Sequence, residues 1–318
     1  MIVFSGFDAL PNILKEILRW RVRCGATAVF WCWGYHTKQQ CQGKFERGKT
    51  PLWAKKIATK IKRYTLKPFL KYYIVFGEAE IEDSKLNKER CLQMPMGRPQ
   101  SAIMDACDSL IGELDDFKNE SLSYIGRGNW NSKGIGKIVA YSNSENGFRW
   151  LYRFFVSAKE SGFEEQVKRN EGPRLEWYYD VRGDGNLPWL RKSGAFLTIN
   201  RNPTQIRTPY EALYSGTPIV MCREGMMDGF HLILEPLGLG DAVQTVTAQE
   251  FDDMSFSVRT LSSTQRAVVA ETMKFTLDAD RFARWLGEWL QKPVNGRSYY
   301  QEIKNTLVNR MTIDRDEK

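Results

Sequence analysis

At 318 residues the chain has room for two α/β domains with buried cores. Hydrophobic residues at 42% and aromatic residues at 13% are the values of a globular protein, and a formal net charge of +8 permits contacts with anionic partners. No apolar run approaches the length of a membrane span and the start, MIVFSGFDALPNILKE, lacks a basic stretch followed by an apolar signal core, so a cytosolic protein is expected.

In chain order, Ile2–Phe4 reads as a short strand. Asp8 follows Gly6-Phe7, where it can cap the next helix or serve as a base. Apolar spacing predicts an amphipathic helix over Asn12–Arg23 that stops near Cys24-Gly25, then a nearly unbroken apolar strand, Ala26–Trp33. Gly34-Tyr35-His36 then falls at a strand's carboxyl end, where His36 is either a surface loop residue or a base with a pKa near neutrality.

Between Lys44 and Lys71 ten Lys and Arg residues face a single acid, Glu46. Within it a helix is expected over about Trp53–Tyr64, with Trp53, Ile57, Ile61 and Tyr64 along one face and cations along the other. Three readings stay open: a core-packed helix whose charges face water, a peripheral helix on anionic lipid head groups, and a phosphate-backbone contact with nucleic acid. Tyr72–Phe76 reads as the next strand, and Cys91–Pro95 leads to Met96-Gly97.

Further on, SLSYIGRGNWNSK (Ser121–Lys133) is an apolar strand ending in Gly126-Arg127-Gly128, with Lys133 six residues after the arginine. A glycine turn there opens the backbone to a ligand, and two cations can neutralise a pyrophosphate through charge-assisted hydrogen bonds. Trp177–Val181 reads as a strand leading to a Gly183-Asp184-Gly185 turn. Phe196–Arg223 then gives a buried strand, a loop, a short helix around Pro209–Tyr214, a Ser215-Gly216-Thr217-Pro218 turn and a second strand, Ile219–Cys222. A helix that starts after such a strand points its amides and positive dipole end away from the sheet's carboxyl edge, where doubly wound folds bind nucleotides. Glu211 in that helix is placed to accept hydrogen bonds from sugar hydroxyls, with Arg207 and Thr208 at its start. His231 follows a Gly225–Gly229 loop that can hold a sugar or a phosphate. Phe282–Asn309 is rich in helix formers, and Thr312–Lys318 reads as a loose tail.

The six cysteines show no C-x-x-C pairing and read as buried free thiols. With two histidines and no acidic cluster of metal-loop spacing, no protein-ligated metal is expected; Asp115-Asp116 and Asp252-Asp253 are adjacent pairs that diverge on a helix.

Pro209-Tyr210-Glu211-Ala212-Leu213 followed by Gly216-Thr217-Pro218-Ile219-Val220 resembles the donor-site segment of GT-B glycosyltransferases, the group 1 families especially. The strand with Gly126-Arg127 and then Lys133-Gly134 resembles the same families' second donor segment. The resemblance implies two Rossmann-like doubly wound domains facing across a cleft: a shortened acceptor-side domain over 1–100, a donor-binding domain over 101–290, and a C-terminal helix and tail over 291–318. The linker is expected near 95–105. It further implies that Arg127 and Lys133 clamp the diphosphate of a UDP- or GDP-sugar, that Glu211 holds the ribose, and that amides near Gly126 and Thr208 assist, together with Arg207. His36, or Asp8 in an inverting enzyme, would be the catalytic base. A nucleotide sugar would be the donor, with no tightly bound cofactor and no required metal, and a glycan or lipid-linked hydroxyl the acceptor. A cytoplasmic enzyme, peripheral at the inner membrane face through 44–71, fits that picture. The sequence departs from the families' pattern eight residues before Glu211, where Pro203 stands in place of a glutamate, flanked by Arg201 and Asn202. Two alternatives on the same scaffold stay open: a nucleotide-sugar epimerase, and a degenerate, non-enzymatic module that binds anionic lipid or nucleic acid through its basic helix.

Overall fold

The computed structural model describes residues 2–5, 15–16, 18–20, 22–23, 28–31, 57, 70–75, 81–82, 86–95, 121–131, 134–179, 187–198, 207–223, 229–292 and 294–316. By contacts the chain divides into two units: Met1–Met96 with Met227–Gly229 and Ala283–Lys318, and Gly97–Met226 with Phe230–Phe282.

The first unit holds a four-stranded parallel sheet in the order β1 (Ile2–Ser5), β2 (Ala28–Trp31), β3 (Leu70–Val75) and β4 (Cys91–Gln93). The described residues among Lys15–Arg23 are helical, and Trp20 donates its indole N–H to Glu16, 2.9 Å away. Of the expected Ala26–Trp33 strand, residues 28–31 are described, and they pair with β1 from Ile2–Ala28 to Ser5–Trp31. β3 starts two residues before the expected Tyr72, pairing Leu70 with Ala28. Of the expected 53–64 helix, Ile57 is described; it is helical and half exposed.

The end of the chain packs onto this first sheet. α8 (Ala279–Gln291) buries Trp285 and Trp289, and α9 (Tyr299–Asp316) buries Tyr299, Tyr300 and Ile303. Trp289 meets Tyr72 of β3 edge-on, ring centroids 5.2 Å apart, and its indole N–H reaches the Val294 carbonyl at 3.1 Å. Trp285 meets Tyr299 the same way at 5.0 Å. Arg297 stacks over Trp285, donates to both oxygens of Glu302 at 2.6 and 3.0 Å, and accepts the Gln93 amide on its carbonyl at 2.9 Å. The segment before α9 thereby pairs with β4, Gln93 bridging Ser298 in parallel.

The second unit is a six-stranded parallel sheet: β5 (Ser121–Gly128), β6 (Leu151–Lys159), β7 (Leu175–Tyr179), β8 (Ala195–Thr198), β9 (Ile219–Cys222) and β10 (Val243–Val246), in the order 10-9-8-5-6-7. Helices α1 (Ile135–Ser142), α2 (Phe163–Arg169), α3 (Leu187–Arg191), α4 (Arg207–Tyr214), α5 (Phe230–Leu234), α6 (Ala248–Asp252) and α7 (Ser263–Thr276) connect or follow its strands. β6 is buried on both faces, and its register partners on β7 give one aromatic pair to each: Phe154 stacks on Trp177 at 4.1 Å, Phe155 on Tyr178 at 4.9 Å. β7 begins at Leu175, two residues before the expected Trp177, because its pairing with β6 already starts at Tyr152–Leu175; 180–181 lie outside the described residues. Beneath Phe154, Ile135, Ile138 and Val139 of α1 join the core, and Tyr141 stacks on Phe256 at 4.1 Å. Asp252 closes an ion pair with Lys137, while Asp253 accepts the Gln249 amide at 2.8 Å; the two adjacent acids serve separate partners.

The turn from α4 to β9 is a Schellman stop. Gly216 takes φ 74°, its amide bonds Leu213 O at 2.9 Å, and the Thr217 amide reaches back to Ala212 O at 2.8 Å. Pro218 cannot continue the helix, and Ile219–Cys222 then forms a strand with every side chain buried. A fully buried arginine holds the turn from the other side: Arg266 of α7 donates to Gly216 O at 3.0 Å, Thr217 Oγ1 at 2.9 Å and Arg191 O at 2.7 Å. Burial, and then the neighbouring Arg191 charge, pull its guanidinium down to about 9, which leaves it charged at neutral pH. Cys91 and Cys222 are buried free thiols. Among the described residues no helix is long and apolar enough to cross a membrane.

Candidate functional site

The strand order sets the site. From β5 the sheet grows outward through β6 to β7; the chain then returns to the other side of β5 as β8 and grows outward again to β10. β5 and β8 pair in parallel through Leu122–Ala195 and Ser123–Phe196, so the connections leaving them depart in opposite directions. All pairings being parallel, the carboxyl ends lie along one edge, and the crevice between these two connections is where an open α/β sheet receives a ligand.

On the β5 side the strand ends in Gly126-Arg127-Gly128. Arg127 is exposed, and its carbonyl is fixed by the Tyr124 hydroxyl at 3.1 Å and the Asn129 amide at 2.9 Å. Gly126 has a reason independent of any ligand: a Cβ there would come within 2.7 Å of the Tyr124 hydroxyl oxygen. Burial drives the Tyr124 phenol well above the ordinary tyrosine range, so it stays neutral and donates to the arginine carbonyl. The loop then turns into α1 behind Gly134, in the left-handed region at φ 73°, with no side-chain cap and no acid in the first turn. The positive end of that helix therefore meets no carboxylate of its own first turn.

Trp130 sits in the middle of this loop. Its amide donates to a Glu160 carboxylate oxygen at 2.6 Å, while the Glu160 amide donates to Gly128 O at 2.9 Å. Its ring stacks on Trp177 at 6.3 Å, meets Phe163 edge-on at 6.0 Å, and covers Gly136, where a Cβ would lie 2.4 Å from the indole nitrogen.

Across the crevice, α4 buries Pro209, Ala212 and Leu213, and Tyr210 packs edge-on against Phe230 of α5 at 4.6 Å. Thr208 and Glu211, three residues apart and so neighbours on the helix surface, are only partly buried. The Glu211 carbonyl accepts the Ser215 amide and hydroxyl at 2.9 and 2.8 Å, which locks the second turn of the helix.

The fold thus brings Gly126 and Arg127 to one lip of the crevice and Arg207, Thr208 and Glu211 to the other; for Arg207 the backbone alone is described. Asp8, His36 and Lys133 lie outside the described residues, as do the loop at 199–206, with Pro203, and the Gly183-Asp184-Gly185 turn. His231 lies on α5, partly buried. Sequence reasoning did not find Tyr124, Trp130, Glu160 or Arg266. A glycine in the first turn of α1, Gly136, is the one local signal of a bulky neighbour. The thirty residues between Trp130 and Glu160 leave no pattern to read.

No protein-family model matches the sequence, and no curated protein does. Solved structures match it over most of its length. The trehalose-6-phosphate synthase OtsA is 12% identical with a TM-score of 0.58, over 93% of this chain and 72% of that one. Anabaena HepE in complex with UDP-glucose is 12% identical with a TM-score of 0.56, over 91% and 78%. Sucrose-phosphate synthase from Thermosynechococcus elongatus is 14% identical with a TM-score of 0.55, over 90% and 78%. The likeness establishes the fold: mixed α/β with parallel sheets in two Rossmann-like units, the GT-B glycosyltransferase architecture.

Proposed function

We propose that the protein is a glycosyltransferase that moves a sugar from a nucleotide-diphosphate donor to a hydroxyl acceptor. One observation carries the reading: the order 10-9-8-5-6-7 sets Gly126-Arg127 and the Thr208–Glu211 helix on opposite lips of the switch-point crevice. Both segments that resemble the GT-B donor signature thereby meet at the one place where this sheet receives a nucleotide. The UDP-glucose held by the structurally similar HepE supports a nucleotide sugar as the donor.

In this reading Arg127 and Lys133 bind the diphosphate, the start of α1 adds its dipole, Arg207 and the Thr208 amide assist, and Glu211 accepts the ribose hydroxyls. The bond from the anomeric carbon to the diphosphate oxygen breaks with its electron pair leaving on the diphosphate. The acceptor oxygen bonds to that carbon and loses its proton to a base, His36 or Asp8. The work of the protein is positioning and stabilising the charge that develops on the leaving diphosphate, which the two cations supply without a divalent ion. A glycan or lipid-linked hydroxyl is the proposed acceptor, and the basic segment 44–71 is the proposed contact with an anionic membrane surface.

The test is thermal stabilisation by UDP, GDP, ADP and CMP and their common sugars, on the wild-type protein and on Glu211→Ala. A ligand at a hundred times its dissociation constant adds about 2.7 kcal/mol to the folded state. Stabilisation by one nucleotide that the variant loses is the expected result. A wild-type protein indifferent to all of them would sink the proposal.

A further inference from the structure

We infer that Glu160 is a positioning residue for the donor site: its carboxylate sets the shape of the Gly128–Asn131 turn that follows Arg127, without touching the donor itself. The inference rests on the proposed nucleotide-diphosphate reading of this site.

Arg127 stands one residue before this turn, so the placement of its charge depends on how the turn is held. The turn is held at two points by one residue. Glu160, just past the end of β6, accepts the Trp130 amide on its carboxylate at 2.6 Å and gives its own amide to Gly128 O at 2.9 Å. A carboxylate accepting from a backbone amide is among the stronger hydrogen bonds a side chain makes. The Trp130 ring continues the clamp: it lies between Trp177 and Phe163 on one side and Gly136 on the other, and the Gly136 amide donates to the Trp130 carbonyl at 3.0 Å. Gly136 sits in the first turn of α1, so the loop, the end of β6 and the helix start move as one piece. Glu160 is exposed, and its removal leaves no hole in the core.

The clamp needs an acceptor at Glu160, not a charge. That distinguishes positioning from electrostatics: a Gln side chain keeps a carbonyl oxygen for the Trp130 amide, and Ala keeps nothing. The experiment compares wild type, Glu160→Gln and Glu160→Ala by hydrogen exchange of the peptide spanning 126–140, thermal unfolding, and calorimetric titration with UDP and GDP. The expected result is faster exchange over 126–140 in Glu160→Ala, an unfolding midpoint close to wild type, and nucleotide affinity weakened about tenfold, the size of one charged hydrogen bond. Glu160→Gln restores both exchange and affinity to within about twofold. Unchanged exchange in Glu160→Ala overturns the clamp; faster exchange with unchanged affinity overturns its role in binding. Equal loss in Ala and Gln makes the carboxylate's charge the cause and overturns positioning. A wild-type protein that binds no nucleotide overturns the reading of the site and, with it, the binding role of Glu160, while the exchange result still decides the clamp.

Discussion

Replacing Gly216 with alanine tests the view that the donor helix is fixed from its far end. Besides Gly134, three described glycines of the second unit have left-handed backbone: Gly216 at φ 74°, Gly162 at 78° and Gly238 at 72°. An added Cβ meets nothing within 4 Å at Gly162 and Gly238, but at Gly216 it would stand 2.5 Å from the Arg266 carbonyl oxygen and 3.1 Å from its carbon. All three substitutions incur the left-handed penalty of about 1–2 kcal/mol, partly offset by about 0.4–1 kcal/mol from a stiffer unfolded chain. Gly238→Ala and Gly162→Ala are therefore expected to cost about 1 kcal/mol each. Gly216→Ala adds a collision with backbone that cannot swing aside, of the kind that costs about 1–3 kcal/mol in packed cores, for a total near 3 kcal/mol. In thermal unfolding followed by tryptophan fluorescence, the two controls should fall by about 2–4 °C and Gly216→Ala by about 6–12 °C. Because the turn closes α4, the Gly216 variant should also bind nucleotide more weakly than either control. Equal midpoints for all three would refute the claim that Arg266 and Gly216 are in contact along their backbones.

Arg266→Met takes the guanidinium donors from two buried carbonyls, while the Thr217 hydroxyl keeps its bond to the Leu190 carbonyl; a loss of about 3–5 kcal/mol is expected in urea unfolding, and a loss under 1 kcal/mol would mean the three bonds are dispensable. Gly126→Ala should destabilise and Tyr124→Phe, which removes the nearest atom, should recover part of that loss; additivity of the two changes in a double-mutant cycle would contradict the contact. Arg127→Ala should weaken nucleotide diphosphate binding by about 10–150-fold while leaving the unfolding midpoint in place, measured by calorimetry against the nucleoside, whose affinity should not change. For Glu302, burial by itself would raise the carboxyl, but the two hydrogen bonds from Arg297 and its charge overcome it and hold the group below its ordinary 4.5. A depressed carboxyl stabilises the fold above that value and loses its contribution as pH falls through the folded pKa, so the stability gap between wild type and Glu302→Gln should be flat from pH 8 to 5 and shrink in more acid solution. A gap that widens there would reverse the assignment.

What the sequence discloses and what it conceals follow the range of the interactions. The α4–β9 passage was legible almost to the residue: Pro209–Tyr214 expected and Arg207–Tyr214 found, Ile219–Cys222 both expected and found. Its punctuation is local, a helix ended by a glycine in the left-handed region and a proline that forbids continuation. The structure adds that Gly216-Thr217-Pro218, half of the family-like segment, is helix-stop chemistry, which leaves Glu211 as the part of it that the proposed donor role rests on. The same holds for Gly126, demanded by the ring of Tyr124 whether or not a donor is bound. Strand starts were less legible at β3 and β7, where pairing with a neighbour, not the apolar run, decides where the ladder begins. Arg266 reads in sequence as one more surface cation on a helix, because its acceptors lie 49 to 75 residues away. Glu160 was equally mute: an acid beside a lysine at a strand's end looks like solvent-facing charge until its partner is placed against it.

The return of α8 and α9 to the first sheet orders events during synthesis. Tyr72 of β3 waits for Trp289, and the Gln93 amide waits for the Arg297 carbonyl, so the earlier-made sheet is completed by residues made about two hundred positions later. At roughly 5–20 residues per second, about 10–40 s separate the emergence of β4 from that of α8. The whole second unit emerges inside that interval and can fold while the first still exposes the face of Tyr72 and Ile74. A nascent chain of this design is most vulnerable to chaperone capture or proteolysis in the sheet of its first unit, and losing α8 and α9 would unmake that unit rather than the second.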